Sequence, residues 1–238
     1  MRIAMWSGPR NLSTALMYSF AARGDCAVWD EPFYAPYLAV SGRPHPMAAE
    51  IIATHEADPA RVSARCKGPI PQEQRLFYQK QMPHHMLPEF DLTFMSACTN
   101  VFLIRHPARV IASYARKMES AELADIGFAA QAELFEREAN RLGRAPIVID
   151  CFDIRADPKA ALGKLCKAIG IPFSDRMLTW PAGGHVNDGI WARHWYGAVH
   201  RSTGFEAVEG PVPGLTGPYA ALAEAAMPYY SSLERHKI

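Results

Sequence analysis

Two short stretches of the 238-residue chain carry the residue types that hold anions. The first is Ser7-Gly8-Pro9-Arg10-Asn11-Leu12-Ser13-Thr14-Ala15. It joins an apolar run at residues 3–6, read as a short buried strand, to residues 12–22, read as a helix. A strand that turns sharply into a helix leaves backbone N–H groups unpaired, with the positive end of the helix dipole behind them. Such a turn is a ready site for phosphate. Arg10 and the hydroxyls of Ser13 and Thr14 would add charge and donors at the same place. An ordinary helix cap, with Ser13 capping and Arg10 in solvent, uses the same residues. The second stretch is Ile104-Arg105-His106-Pro107-Ala108-Arg109-Val110-Ile111-Ala112-Ser113, another strand end running into a helix that Pro107 can open.

Charge placement links the two. The first acid in the chain is Asp25, so Arg2 and Arg10 have no local counter-charge, and residues 92–118 hold Arg105, Arg109, Arg116 and Lys117 without any acid. Two acid-free basic segments, each at a strand-to-helix turn, fit a ligand with two separate phosphates. Arg116 and Lys117 also suit a solvated helix face, opposite Val110, Ile111, Tyr114 and Met118.

Short strands separated by helices would position these turns. Beyond residues 3–6 the strand readings are 27–29, 62–67, 101–104 and 146–150. Helices are expected over 47–55, 72–81, 107–118, 128–142 and 158–169, the last closed by Gly170. Residues 35–47 read as loop with short helical turns, and 92–96 are ambiguous between strand and helix. That order implies an α/β fold with a parallel sheet covered on both faces and its ligand beyond the strands' carboxyl ends. The positions after the strands are then 7–14, 30–33, Lys67, 105–113 and 150–153. From Trp180 the chain turns rich in Gly, Pro, His and Trp, with a helical-looking piece at 190–198 and a terminal helix at 219–236 interrupted by Pro228. A single domain over 1–238 is the economical organisation, with 180–238 as a loop-rich cap and terminal helix.

Bulk properties narrow the function. With 49% hydrophobic and 21% charged residues and a formal net charge of +1, there is no basic field for nucleic acid or an anionic membrane. Strand-like sequence from Met1 leaves no room for a signal peptide, and no apolar run reaches membrane-spanning length. Five scattered cysteines without a C-x-x-C pair point to reduced, buried thiols in a cytoplasmic protein. Nine histidines show no metal-ligand spacing, so no metal is expected.

The first turn lacks the Gly and Lys of a triphosphate-cleaving G-x-x-x-x-G-K-[ST] loop, and no G-x-G-x-x-G follows a strand. Asp150 is only faintly like a magnesium-holding acid. Taken together, the two stretches resemble the sulfotransferases that use 3′-phosphoadenosine-5′-phosphosulfate (PAPS). In cytosolic members the first turn reads Pro-Lys-Ser-Gly-Thr-Thr and cradles the 5′-phosphosulfate. Pro9-Arg10-Asn11-Leu12-Ser13-Thr14 aligns with it, Arg replacing Lys as in the carbohydrate and bacterial branches and Leu12 standing where many members have Gly. The family's second motif, a strand ending in Arg, then x-Pro, then a Ser eight positions after the Arg, holds the 3′-phosphate. Arg105 and Ser113 reproduce it.

The resemblance implies a three-layer P-loop NTPase-like fold with a mostly parallel sheet. The implied activity is metal-free transfer of a sulfuryl group from PAPS to a hydroxyl or amine of a small or medium-sized acceptor. Gly8, Arg10, Asn11, Leu12, Ser13, Thr14, Arg105 and Ser113 would bind the nucleotide, and Arg10 would also stabilise the leaving phosphate. Family members take the acceptor's proton with a His before the second motif or a Glu after the second strand, so Glu31, His84 and His85 are all candidate bases. Arg201, in His200-Arg201-Ser202-Thr203-Gly204, is the candidate for the basic residue that a C-terminal loop brings to the 3′-phosphate. Trp191, Arg193, His194, Trp195 and Tyr196 could line the adenine or acceptor region, or complete the core. An ATP-dependent small-molecule kinase is the competing enzyme reading, which the missing Lys disfavours. A nucleotide-binding regulatory protein without catalysis is the third, consistent with Leu12 and the Arg-for-Lys exchange.

Overall fold

Alternation along the strands shows how the layers form. The computed structural model describes residues 1–116 and 122–238; Lys117 and Met118 fall outside the described residues. In β1 (Arg2–Ser7), Ile3 and Met5 face one hydrophobic layer while Ala4 and Trp6 face the other, all four fully buried. A sheet covered on both faces needs apolar residues on both sides of each strand, hence the continuous apolar runs. Each fully buried large side chain contributes about 1.5–3 kcal/mol.

After β1 the chain runs α1 (Ser13–Ala21), β2 (Cys26–Asp30), α2 (Tyr34–Ser41), α3 (Ala48–Thr54), α4 (Pro59–Lys67) and β3 (Leu76–Gln81). It continues through β4 (Thr99–Ile104), α5 (Pro107–Tyr114), α6 (Leu123–Ile126), α7 (Phe128–Leu142), β5 (Ile147–Asp150), α8 (Cys151–Ala156) and α9 (Pro158–Ile169). A short α10 (Ala192–Trp195) and the long α11 (Gly217–Glu234) complete it. The five strands form one sheet in the order β2-β3-β1-β4-β5, every pairing parallel. Helices α5, α7 and α11 contribute to the layer on one face, and α1 and α9 to the layer on the other. The α/β class with a parallel sheet flanked by helices is therefore as expected from the strand–helix alternation.

Two elements differ from the sequence reading. Residues 62–67, expected as a strand, belong to helix α4. Asp58 caps it by accepting from the Ala60 N–H at 2.8 Å, and Pro59 opens its first turn. The Asp-Pro start outweighs the weak alternation after it. Residues 76–81, expected within a helix, are strand β3, which is buried along its whole length. Its Gln79, Lys80 and Gln81 mimic a helix's polar face; each finds a partner inside, Gln79 and Gln81 partly through Cys66 and one another. Lys67 consequently lies at the end of a helix, and Lys80 takes its place among the residues at the sheet's carboxyl edge. Residues 93–97 form 3-10 turns, and α11 passes through Pro228 without a break. Among the described residues, no helix is long and apolar enough to cross a membrane.

At the carboxyl ends of β1 and β4, Gln131 of α7 donates to the Trp6 and Leu103 carbonyls at 3.1 and 3.0 Å. The buried amide adds a partner for two carbonyls at the sheet's carboxyl edge.

Candidate active site

A cavity of about 640 Å³ lies over the carboxyl ends of the strands. Residues 9–15 form one wall, Arg105 just after β4 and Arg109 and Ser113 of α5 form another, and α8 supplies Cys151 and Arg155. Segments following Trp195 and Gly204 close the top.

The first turn is held in a demanding backbone conformation. Arg10 has φ 62° and Leu12 φ 64°, both left-handed, and Glu31 at the end of β2 has φ 42°. Non-glycine residues in this region cost on the order of 1–3 kcal/mol each, and such strain gathers where a site needs a particular geometry. Alternation of hand turns successive N–H groups toward a common point, the arrangement that binds anions. Leu12 thus adopts the backbone that Gly would adopt freely, and the turn keeps its shape. Below it, the Cys151 thiol donates to the Asn11 carbonyl at 2.8 Å. Gly8 lies outside the cavity; a Cβ there would come within 2.7 Å of the Ile126 carbonyl oxygen, so its role is close backbone packing.

Arg10 joins the two sequence motifs: its Nε donates to the Ser113 hydroxyl at 3.0 Å. Among the described residues Arg10 forms no ion pair. Burial, followed by the charges of Arg105 and Arg116, pulls its pKa below the usual arginine value. Five arginines, Arg10, Arg105, Arg109, Arg116 and Arg155, line the cavity, against Glu206 and Glu209 on the same side. Arg105 donates from Nη1 to the Arg10 carbonyl at 2.5 Å, while its buried Nε has no partner. An unmatched excess of guanidinium charge with an orphaned donor is the signature of a site that takes an anion.

At the other end, Lys80 is 2% exposed and gives its protons to three acceptors: Asp30 Oδ1 at 2.9 Å, Glu31 Oε1 at 2.5 Å and the Tyr196 hydroxyl at 2.5 Å. Asp30 and Lys80 are direct neighbours in the β2–β3 register, which sets this pairing. Tyr196 OH in turn lies 2.9 Å from Asp30 and accepts from the Trp191 indole N–H at 3.1 Å. Burial would lower the Lys80 ammonium's pKa, but Asp30 and Glu31 outweigh it and hold it above the ordinary lysine value. Burial raises Asp30 above the usual carboxylate range despite Lys80. Among the described residues, every side-chain hydrogen bond to Glu31 falls on Oε1. Glu31 lines the cavity, so Oε2 is the oxygen left for a ligand.

The structure thus brings Arg10, Asn11, Leu12, Ser13, Thr14, Glu31, Arg105 and Ser113 around one cavity. It does not bring His84, His85 or Arg201 there. His85 stacks between Tyr34 and Tyr37 with centroids 4.6 and 4.9 Å away, and the His84 ring packs at Gly127. Burial lowers the His84 pKa to about 4 and takes His85 well below the usual histidine range. Neither ring lines the cavity. Arg201 is exposed on a 3-10 turn, while Ser202 and Gly204 beside it reach the cavity. The guanidiniums that face the loop end are instead Arg109 and Arg155. Asp150 caps α8 and accepts from the Tyr230 hydroxyl at 2.8 Å, away from the cavity. Lys80, Arg155, Glu206 and Glu209 also line the cavity, and the sequence motifs do not point to them. Lys80 stands between Gln79 and Gln81 in a run that reads as polar, and Arg155 and Glu209 likewise have no signal in their sequence neighbours. Among the described residues, no group of three or more His, Cys, Asp or Glu is placed to hold a metal ion.

A sequence model described as a sulfotransferase domain matches residues 1–237. The chain belongs to the sulfotransferase domain family. Two Arabidopsis thaliana proteins, named branched-chain-amino-acid aminotransferase-like proteins 2 and 1, are each 33% identical to it over 236 residues. Those residues are 98% of this chain but 41% and 42% of theirs, so the chain spans about two fifths of the length of the curated relatives it matches. Among solved structures, the sulfotransferase domain from the curacin biosynthetic pathway aligns over 96% of each chain at 15% identity and a TM-score of 0.49. Mouse sulfotransferase SULT7A1 complexed with PAP aligns over 98% of this chain and 84% of its own, at 13% identity and a TM-score of 0.44.

Proposed function

We propose that this sulfotransferase-family chain moves the sulfuryl group of PAPS to a hydroxyl or amine of a small or medium-sized acceptor. The observation that carries the reading is the pairing of two anion-binding turns in one cavity, joined by the Arg10–Ser113 hydrogen bond, with a carboxylate oxygen free at the far end. A nucleotide with phosphates at both ends of its ribose matches that pairing. The orphaned Arg105 Nε and the left-handed cradle at Arg10 and Leu12 support a ligand of that kind.

When bound, PAPS supplies the sulfuryl group and a phosphate as its leaving group. Arg10, Ser13, Thr14 and the backbone N–H groups of the first turn would hold the phosphosulfate and meet the charge that grows on the leaving oxygen. Arg105 and Ser113 would hold the 3′-phosphate. Glu31 is the base of this proposal: Lys80 fixes its Oε1, which turns Oε2 toward the acceptor's proton. Lys80 and Tyr196 are positioning residues in this arrangement.

Calorimetry with 3′-phosphoadenosine-5′-phosphate (PAP), AMP and ATP tests the reading. PAP is expected to bind at least about tenfold more tightly than AMP, since a charge-assisted hydrogen bond is worth about 1.5–3 kcal/mol. Arg105→Ala and Ser113→Ala should erase that preference and leave AMP binding in place. Equal affinity for PAP and AMP in the native protein, or a preference for ATP with magnesium, would overturn it.

A further inference from the structure

The loop end of the cavity already contains an anion of the protein's own. Glu209, whose side chain is 4% exposed, sits among Arg105, Arg109 and Arg155. Its Oε1 accepts from Arg105 Nη2 and, at 2.9 Å, from Arg155 Nη1. Arg109 Nε is 3.2 Å from Oε2, yet Oε2 has no aligned hydrogen bond. The fit is incomplete on both sides, because Arg105 Nε is also without an acceptor. A flat carboxylate offers two oxygens and one charge to three guanidiniums. A phosphate monoester offers three terminal oxygens and close to two charges.

The segment carrying Glu209 is attached mainly through these same arginines. Residues 206–213 have no helix or strand, and Val208 and Val212 are 54% and 49% exposed. Phe205 and Leu215 pack on the two hydrophobic layers and pin the ends. Between them, Arg155 bonds the Ala207 carbonyl and pairs with Glu206, and Arg109 bonds the Gly210 carbonyl. Apolar burial, the usual reason for a loop to stay closed, is nearly absent from this stretch.

We propose that Arg105, Arg109 and Arg155 form one phosphate site, and that Glu209 is its resident competitor, which a ligand's 3′-phosphate must displace. The inference rests on the PAPS reading above and extends it: Glu209 sets how strongly a 3′-phosphate is favoured over a 3′-hydroxyl. A nucleotide lacking the 3′-phosphate leaves Glu209 in place, so its affinity does not depend on this residue. A 3′-phosphorylated nucleotide binds against the carboxylate, so its affinity does.

Glu209→Gln keeps the side chain's size and removes its charge. Calorimetry on this variant should show PAP binding about tenfold more tightly than in the native chain, with AMP unchanged. Glu209→Asp, which withdraws the carboxylate by one methylene, should give a smaller gain in the same direction. Unchanged or weaker PAP binding in Glu209→Gln, or equal changes for PAP and AMP, would overturn the proposal. Should Glu209→Gln lose AMP binding as well, a sign of misfolding, Glu209→Asp decides: no gain for PAP there overturns it. If the native chain itself does not prefer PAP to AMP, the PAPS reading fails. A native preference for PAP without a gain in the variants sinks the competitor alone.

Discussion

At the strand end of the cavity, Lys80 gives each proton to a fixed acceptor and is 2% exposed. At the loop end, three guanidiniums, 12–16% exposed on their side chains, crowd one carboxylate and leave a donor and an acceptor unmatched. Both are ion clusters, and they differ in what holds them. The first is locked by the β2–β3 register and by Tyr196 and Trp191, so it keeps Glu31 in one orientation. The second depends on a segment without regular structure, pinned at its ends. A saturated buried cluster suits a group that must hold still. An unsaturated one at a loop suits a group that must give way to a ligand.

Removing a charge from each end should therefore have opposite signatures. Lys80→Met would leave Asp30 and Glu31 buried without their cation, and breaking a buried ion pair in this way costs about 3–5 kcal/mol. Urea unfolding at pH 7 should show that loss, shrinking as the pH falls and Asp30, whose pKa burial already raises, takes up a proton. A loss below about 1 kcal/mol would mean that water reaches the cluster and that Glu31 is not rigidly held.

Arg155→Gln tests the loop end. Its pair with Glu206 is exposed on the acid's side, and the buried Glu209 keeps Arg105 and Arg109 when Arg155 is lost, so unfolding stability should fall by no more than about 1 kcal/mol. PAP affinity should fall about tenfold or more, with AMP affinity retained. A large stability loss without a selective effect on PAP would make this end a structural clasp, and the contrast between the two ends would disappear.

The sequence made one side of this comparison easier to see than the other. Turn 7–14 and residues 105–113 could be read because each function sits in a contiguous run, with cation, Pro and hydroxyls in order. Apolar strands such as 101–104 were legible for the same local reason. Lys80 was hidden because β3 carries Gln-Lys-Gln, which looks like a helix's wet face until Asp30 and Glu31 at the end of β2 and Tyr196 far along the chain are brought to it. Arg155 and Glu209 are 54 residues apart and meet only through the fold. His84 and His85 were attractive as bases by residue type. Their burial among Tyr34, Tyr37 and Gly127 depends on packing that no spacing rule reports.

The smallest expected effect concerns Leu12, which separates backbone from side chain at the phosphosulfate turn. Its φ of 64° costs a non-glycine residue roughly 1–2 kcal/mol, and Leu12→Gly would remove that strain. Against this, glycine loses roughly 0.5–1 kcal/mol more backbone entropy on folding. The half-buried side chain also gives up roughly 1 kcal/mol of packing against the layer that contains α1. These terms nearly cancel, so urea unfolding of Leu12→Gly should stay within about 1 kcal/mol of the native chain. PAP affinity should stay within about twofold, since the N–H groups keep their directions. A stability loss beyond about 2 kcal/mol would show that Leu12 is kept for its packing. A several-fold loss of PAP affinity at native stability would show instead that the side chain, by stiffening the turn, holds the cradle open for the ligand.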